Sequence, residues 1–329
     1  MVIDCHTHTL SPAVNELLRG RLDPRLIPYQ RDMSPESRQV DQEQIPALGP
    51  KFNDIDVRRQ LMAKMGVDFH VVAPAPGQQH YWAEPAPLDE LSRVQNDHVA
   101  ALVGRDPARL AGLGTLPMTD VERAVAEATR GVEELGLRGF QIDTHVNAIE
   151  LSDPSLDALY RRLVRLDVPL MVHPLGFSDG QRLGPFFMVN TVGQPLEEMI
   201  AINHFIFGGV LDRHPELRIF IPHGGGYFPF YLGRMDHASS YRPEVKRLTA
   251  DRPSAYVRRM WYDTCVFRPD LLAYLVGLAG ADRVMLGSDY PFDMGDLDPL
   301  AIIQAGSFNQ ADWTRICGET ARSFFGLER

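Results

Sequence analysis

Four histidines and one aspartate stand at the ends of short apolar runs in this chain of 329 residues: His6 and His8, His173, His223 and Asp289. Imidazole and carboxylate are donors that borderline divalent ions take in proteins, and an imidazole left off the metal serves as a general acid or base near neutral pH. His6 and His8 are two residues apart, so an extended backbone aims both side chains the same way. Three neutral imidazoles with one carboxylate suit Zn2+, with Mn2+ or Fe2+ as alternatives. A single strand-end histidine is more often a hydrogen-bonded structural residue; the coincidence of five groups at matching positions is what points to a site. The other seven histidines (His70, His80, His98, His145, His204, His214 and His237) read as structural or solvent-facing. His145 is the least settled of these, because it lies just past a strand. Tyr290 and Phe292 follow Asp289 closely, placed either to line a pocket and stack on a flat substrate or to pack beneath the loop.

Eight apolar, β-branched runs supply those ends: 2–5, 69–73, 110–116, 138–143, 169–173, 218–223, 261–266 and 284–289. Several are almost continuously apolar, as strands buried on both faces of a parallel sheet should be. Amphipathic stretches lie between them, at 55–65, 120–135, 154–165, 195–212 and 269–278, several opening on Asp or Pro as helices do. Strand and helix alternating eight times predict an α/β fold, the (β/α)8 TIM barrel, as one domain over 1–329. Its active site forms where the strands end, which is where the five groups fall. Two connections are long: 9–53, polar and dotted with proline, and 174–194, which bears glycine. Both read as long βα loops on the active-site face, lids or substrate walls.

Composition narrows the partners. With 33 basic against 43 acidic residues the chain carries a formal charge of −10, and no basic block offers the cationic face that nucleic acid needs. No run approaches the roughly 18 apolar residues of a membrane span, and the start shows no secretory signal pattern. Cys5, Cys265 and Cys317 are odd in number and lack metal-ligand spacing, so they read as reduced thiols. Together these features predict a cytoplasmic protein with no membrane or nucleic-acid partner.

The segments IDCHTH (3–8), GLGTLPM (112–118), FQIDTHVN (140–147), MVHP (171–174), PHGGGYFPFYLGRMDH (222–237) and LGSDYPFDMG (286–295) together resemble the amidohydrolase superfamily. They are most similar to the branch typified by 2-amino-3-carboxymuconate-6-semialdehyde decarboxylase. The resemblance covers the first ten residues and everything from about residue 54 onward. It implies one divalent ion, Zn2+ before Mn2+, held by His6, His8, His173 and Asp289. It also implies His223 as the acid–base catalyst and Asp289 as a second participant in catalysis. Arg234 and Arg242 match arginines that reach across a homodimer interface to the neighbour's substrate; eight residues apart on one helix, they are separated by about 12 Å of rise. A second metal in such barrels needs a bridging lysine after the fourth strand. Lys51, Lys64 and Lys246 end no strand, so the expected site is mononuclear.

Two family features are missing. The first-loop arginine that clamps a substrate carboxylate has no clear counterpart, Arg31 and Arg38 standing in different contexts, and a loop tryptophan is replaced by the stretch 186–193. The expected function is therefore metal-dependent, non-oxidative decarboxylation of a small unsaturated or aromatic carboxylic acid, with fewer carboxylates than a muconate. Hydrolysis at the same metal is the alternative, and a silent binding barrel is disfavoured because the ligand set is intact.

Overall fold

A computed structural model describes residues 1–19, 23, 27–81 and 88–327. Eight barrel strands follow in chain order: β1 Ile3–Thr9, β2 Phe69–Pro74, β3 Leu110–Gly112, β4 Phe140–Ile142, β5 Leu170–Val172, β6 Ile219–Ile221, β7 Met260–Asp263 and β8 Val284–Met285. Each coincides with one of the runs read from the sequence. All pair in parallel, β1 to β3 in one set and β4 to β8 in the other. Two seams close the ring: Gly114 bridges Phe140, and Thr7 bridges Tyr290. At the second seam Cys5 N–H donates to Leu286 O at 2.9 Å and His8 N–H to Tyr290 O at 2.7 Å. Closure removes the exposed edges that an open sheet would have to protect.

Side chains alternate between two cores. Ile3, Cys5, Val71, Ala73, Leu113, Met171, Phe220 and Met285 fill the barrel, and Phe324, Phe325 and Leu327, on and just beyond the helix Thr320–Phe324, plug the end where the strands begin. The opposite faces of the strands meet the helices in a larger core that includes Phe140, Ile142, Leu170, Ile219, Ile221 and Tyr262. The helices start and stop where their caps dictate. Asp54 accepts from Asp56 N–H and Val57 N–H to open Ile55–Met65, and Gly66 ends it in the left-handed region at φ 70°. The stretch 195–212 is two helices, Gln194–Phe207 and Val210–Arg213, divided at Gly208 and Gly209.

The connection over 9–53 is long, as expected, but it is not a bare loop. It contains the helices Pro12–Leu18, Pro28–Asp32 and Pro35–Asn53. The last of these buries only Phe52 and contains Pro46 and Pro50, so it has no apolar stripe for a sequence reading to detect. Its end is tied to the barrel rim by Tyr290 Oη donating to Lys51 O (2.7 Å) and by Arg58 Nη2 donating to Phe52 O (3.0 Å). The second long connection, 174–194, is made of short turns that pass through a π-turn, Val189–Gly193, directly into the next helix.

The plug gives a direct test of the barrel packing. Phe324→Ala should lower the unfolding free energy by about 3–5 kcal/mol, since it empties a site enclosed by Phe220 and Trp261. Chemical denaturation checks this; an unchanged midpoint would mean the helix does not seal the barrel.

Candidate active site

The first strand is irregular where the chemistry lies. Asp4 pairs with His70 and Thr7 with Val72, so β1 spends three residues where β2 spends two. A one-residue bulge turns the following side chains to the other face. Ile3 and Cys5 therefore fill the barrel interior, and beyond the bulge His6 and His8 face the axis as well. Strict alternation from Ile3 would have sent both histidines outward.

His6, His8, His173 and Asp289, all buried, each offer one donor atom to a cluster whose members lie within 4.8 Å of one another. The ring nitrogens turned away from the centre are occupied. His6 Nδ1 donates to Asp263 Oδ2 at 2.7 Å, His8 Nδ1 to Pro74 O at 3.2 Å and His173 Nδ1 to Pro174 O at 2.8 Å. These acceptors fix the proton on Nδ1 and leave each Nε2 lone pair facing inward. Among the described residues, Nε2 of all three rings and Asp289 Oδ1 have no hydrogen-bond partner. Asp289 Oδ1 lies 3.3 Å from His6 Nε2 and 3.2 Å from His8 Nε2. Leaving four buried polar atoms unpaired would cost on the order of 1–3 kcal/mol each. Three neutral nitrogens and a carboxylate oxygen converging in this way fit a divalent metal ion.

The electrostatics agree with that fit. Burial pushes His8 below its ordinary range and His173 well below it, which keeps both rings neutral as ligands must be. Burial alone would raise the Asp289 carboxyl, but His6, His223 and His8 outweigh it and hold the group well below the usual carboxylate range.

His223 follows β6 and stands beside the cluster, its Nε2 3.6 Å from Asp289 Oδ2. Its Nδ1 donates to Glu198 Oε1 at 2.6 Å. Burial opposes charge on this ring, but the adjacent Glu198 and Asp289 raise it well above the ordinary histidine range. The backbone here is unusual: His223, Gly224, Gly225 and Gly226 have φ of 50°, 63°, 80° and 58°. Four successive left-handed residues explain the glycine run. At Gly226 a Cβ would lie 2.5 Å from Pro195 O and 2.6 Å from Glu198 Oε2.

Supporting contacts reach back into the barrel. Asp263 Oδ1 accepts from Gly224 N–H at 3.0 Å and Cys265 N–H at 3.1 Å, so one carboxylate orients His6 and pins the glycine turn. Asp4 accepts from His6 N–H and Ser288 N–H, both at 3.1 Å, and from Ser288 Oγ. Arg58, fully buried, donates to His8 O at 2.6 Å and lies 4.8 Å over the Tyr290 ring. Burial brings its guanidinium down to about 10.

A cavity of about 430 Å³ opens from His223 and Asp289. Tyr227, Phe230, Phe267, Leu271 and Tyr274 make it apolar, and Asn190, Thr191 and Gln194 give one wall neutral hydrogen-bonding groups. Among the described residues no arginine or lysine lines it. Arg234, on the helix Phe228–Tyr241, and Arg242, at its end, are exposed and stay outside this cavity. Phe292 is half-buried between the rings of His8, 5.3 Å away, and Phe52, 5.5 Å away. Tyr290 is a packing residue, engaged by Arg58 and Lys51. Arg31 is taken up by Asp32 and the carbonyl of Ser178, and Arg38 by the carbonyls of Gln30 and Arg31. His145 sits 3.6 Å from Glu197, away from the cluster.

Asp263 and Glu198 were not singled out from the sequence. Asp263 had a signal, an acid in an otherwise apolar strand run; Glu198 had none, being one of two adjacent acids in a helix.

The Amidohydrolase family profile matches residues 3–327. A 2-amino-3-carboxymuconate-6-semialdehyde decarboxylase of Dictyostelium discoideum is 36% identical over 277 residues, covering 84% of this chain and 77% of the relative. A 2-keto-4-carboxy-3-hexenedioate hydratase of a Sphingobium species is 24% identical over 318 residues, covering 91% and 86%. The crystal structure of a 5-carboxyvanillate decarboxylase from Sphingomonas paucimobilis superposes with a TM-score of 0.87 at 25% identity over 99% of each chain. A closed parallel barrel, a buried three-histidine, one-aspartate cluster at its strand ends and a profile match over nearly the full length lead to one assignment: the chain belongs to the amidohydrolase family.

Proposed function

We propose that this protein is a carboxy-lyase that removes the carboxyl group of a small unsaturated or aromatic acid without oxidation, using one divalent ion held by His6, His8, His173 and Asp289. The observation that carries the reading is the placement of His223 Nε2 beside that cluster and at the head of an apolar cavity. The relatives that decarboxylate a muconate semialdehyde and a carboxyvanillate support it. Zn2+ suits the nitrogen-rich donor set best, with Mn2+ as the alternative.

Expelling CO2 leaves an electron pair that carbon alone cannot hold. A conjugated substrate solves this by taking a proton at the carbon that bears the carboxylate. The bond to the carboxylate then breaks, its electron pair returns to the conjugated system, and CO2 leaves with one proton consumed overall. The bound ion supplies Lewis-acid charge to substrate oxygens. His223 delivers the proton from Nε2, and Asp289, with Oδ1 in the cluster and Oδ2 toward His223, holds donor and cluster in register. Phe292 forms a flat wall next to His8. Within one chain no arginine or lysine among the described residues lines the cavity, which favours a substrate with fewer carboxylates than a muconate.

The chain works as a single domain, and as a homodimer. Arg234 lies on, and Arg242 just past the end of, a helix that also exposes Phe230, Tyr231 and Tyr241, and this mixed face suits a second copy whose cavity the arginines then reach. No helix among the described residues is long and apolar enough to cross a membrane, and the three cysteines are unpaired and buried; both features suit a cytoplasmic enzyme.

Purified protein should contain about one metal ion per chain and release CO2 from some aromatic or unsaturated acid. Products of water addition or cleavage, with no CO2, would redirect the assignment to a hydratase or hydrolase. His223→Ala should retain the metal and lose about 10²- to 10⁴-fold in kcat. Asp263→Asn should weaken metal affinity about 10- to 100-fold, because His6 loses the acceptor that fixes its tautomer. A chelator competition giving native affinity for that variant would remove Asp263 from the site.

A further inference from the structure

We infer that Glu198 is the positioning residue for His223: its carboxylate holds the ring proton on Nδ1 and thereby aims Nε2 at the substrate cavity. The inference rests on the reading of His223 as the proton donor, but its geometry stands apart from the metal.

Glu198 lies in the helix Gln194–Phe207, is completely buried, and meets His223 Nδ1 at 2.6 Å through Oε1. Its other oxygen, Oε2, has no hydrogen-bond partner among the described residues. A buried carboxylate satisfied on one side only is a poor stabiliser, and an apolar side chain of similar volume would serve packing better. Its neighbour shows what a structural glutamate looks like in the same helix. Glu197 Oε1 accepts from Ser178 N–H and Oγ, and Oε2 accepts from Thr144 Oγ1, so it ties two loops together. Glu198 makes no such tie; its one polar contact is the imidazole.

The turn after β6 is shaped around this pair. Any side chain at Gly226 would press on Glu198 Oε2 and on Pro195 O, so the glycine keeps the space the carboxylate occupies. The same device appears once more in the site, where Asp263 meets His6 Nδ1 at 2.7 Å. One carboxylate thus orients a ring that faces the cluster, and the other orients a ring that faces the substrate. Because imidazole is planar, fixing Nδ1 against Glu198 also fixes the opposite nitrogen, which lies 3.6 Å from Asp289 Oδ2 at the cavity head.

Proton NMR of the zinc-loaded protein tests this independently of turnover. Imidazole N–H resonances should appear far downfield from the His6–Asp263 and His223–Glu198 pairs, beside one from His214 and Asp157, which meet at 2.9 Å outside the site. His223→Ala should remove one of these signals and leave the rest. Glu198→Gln, nearly isosteric, should shift that same resonance upfield while metal content stays native, and should lower kcat by about 10²-fold with KM little changed. Native resonances and native kcat in Glu198→Gln would overturn the proposal, as would a His223→Ala protein that keeps every downfield signal. If the resonances behave as expected but no acid yields CO2 with the native protein, the pairing stands and the decarboxylase reading falls.

Discussion

The donors at the centre come from residues as far apart as His6 and Asp289, and the seam between β1 and β8 is what makes them neighbours. Asp4 carries much of that seam. Its carboxylate takes the amides of His6 and Ser288 and the Ser288 hydroxyl, so one buried side chain joins the first of the two histidines to the residue just before the aspartate. Burial pushes this group up to about 7, although the bonds from Ser288 and His6 favour its charged form. The bulge in β1 and the left-handed backbone at Asp289 lie on either side of this join.

Around the cluster, polar groups are arranged in pairs that each settle one geometric question. Asp263 fixes the face of His6, and Pro74 and Pro174 carbonyls fix those of His8 and His173. Arg58 is the least expected member, a buried cation without a carboxylate in contact among the described residues, bonded to the His8 and Phe52 carbonyls and stacked on Tyr290. It links the first metal-bearing strand to the end of the inserted helix Pro35–Asn53, so the wall of the site and its floor share one guanidinium. The charged and polar work is concentrated at the barrel axis, while the cavity that leads outward is left apolar.

Much of this was legible in the residues. All eight strands could be located because a strand covered on both faces must be apolar along its length, and the five chemical groups could be located because they sit where those runs stop. Three things were not legible, each for a physical reason. The bulge at Cys5 and His6 leaves no compositional mark, since register is a property of two strands at once. The helix Pro35–Asn53 covers the rim with a single buried side chain, so it lacks the periodicity that marks a packed helix. Glu198 reaches His223 across 25 positions and from a different element, and nothing in its local sequence separates it from Glu197.

The plug formed by Phe324, Phe325 and Leu327 bears on how the enzyme is made. During synthesis His6 and His8 leave the ribosome some 280 residues ahead of the aspartate that completes their cluster, and the side chains that seal the barrel follow later still. A chain that stops short of Asp289 offers three of the four donors, and the fourth arrives together with the strand that closes the barrel against β1.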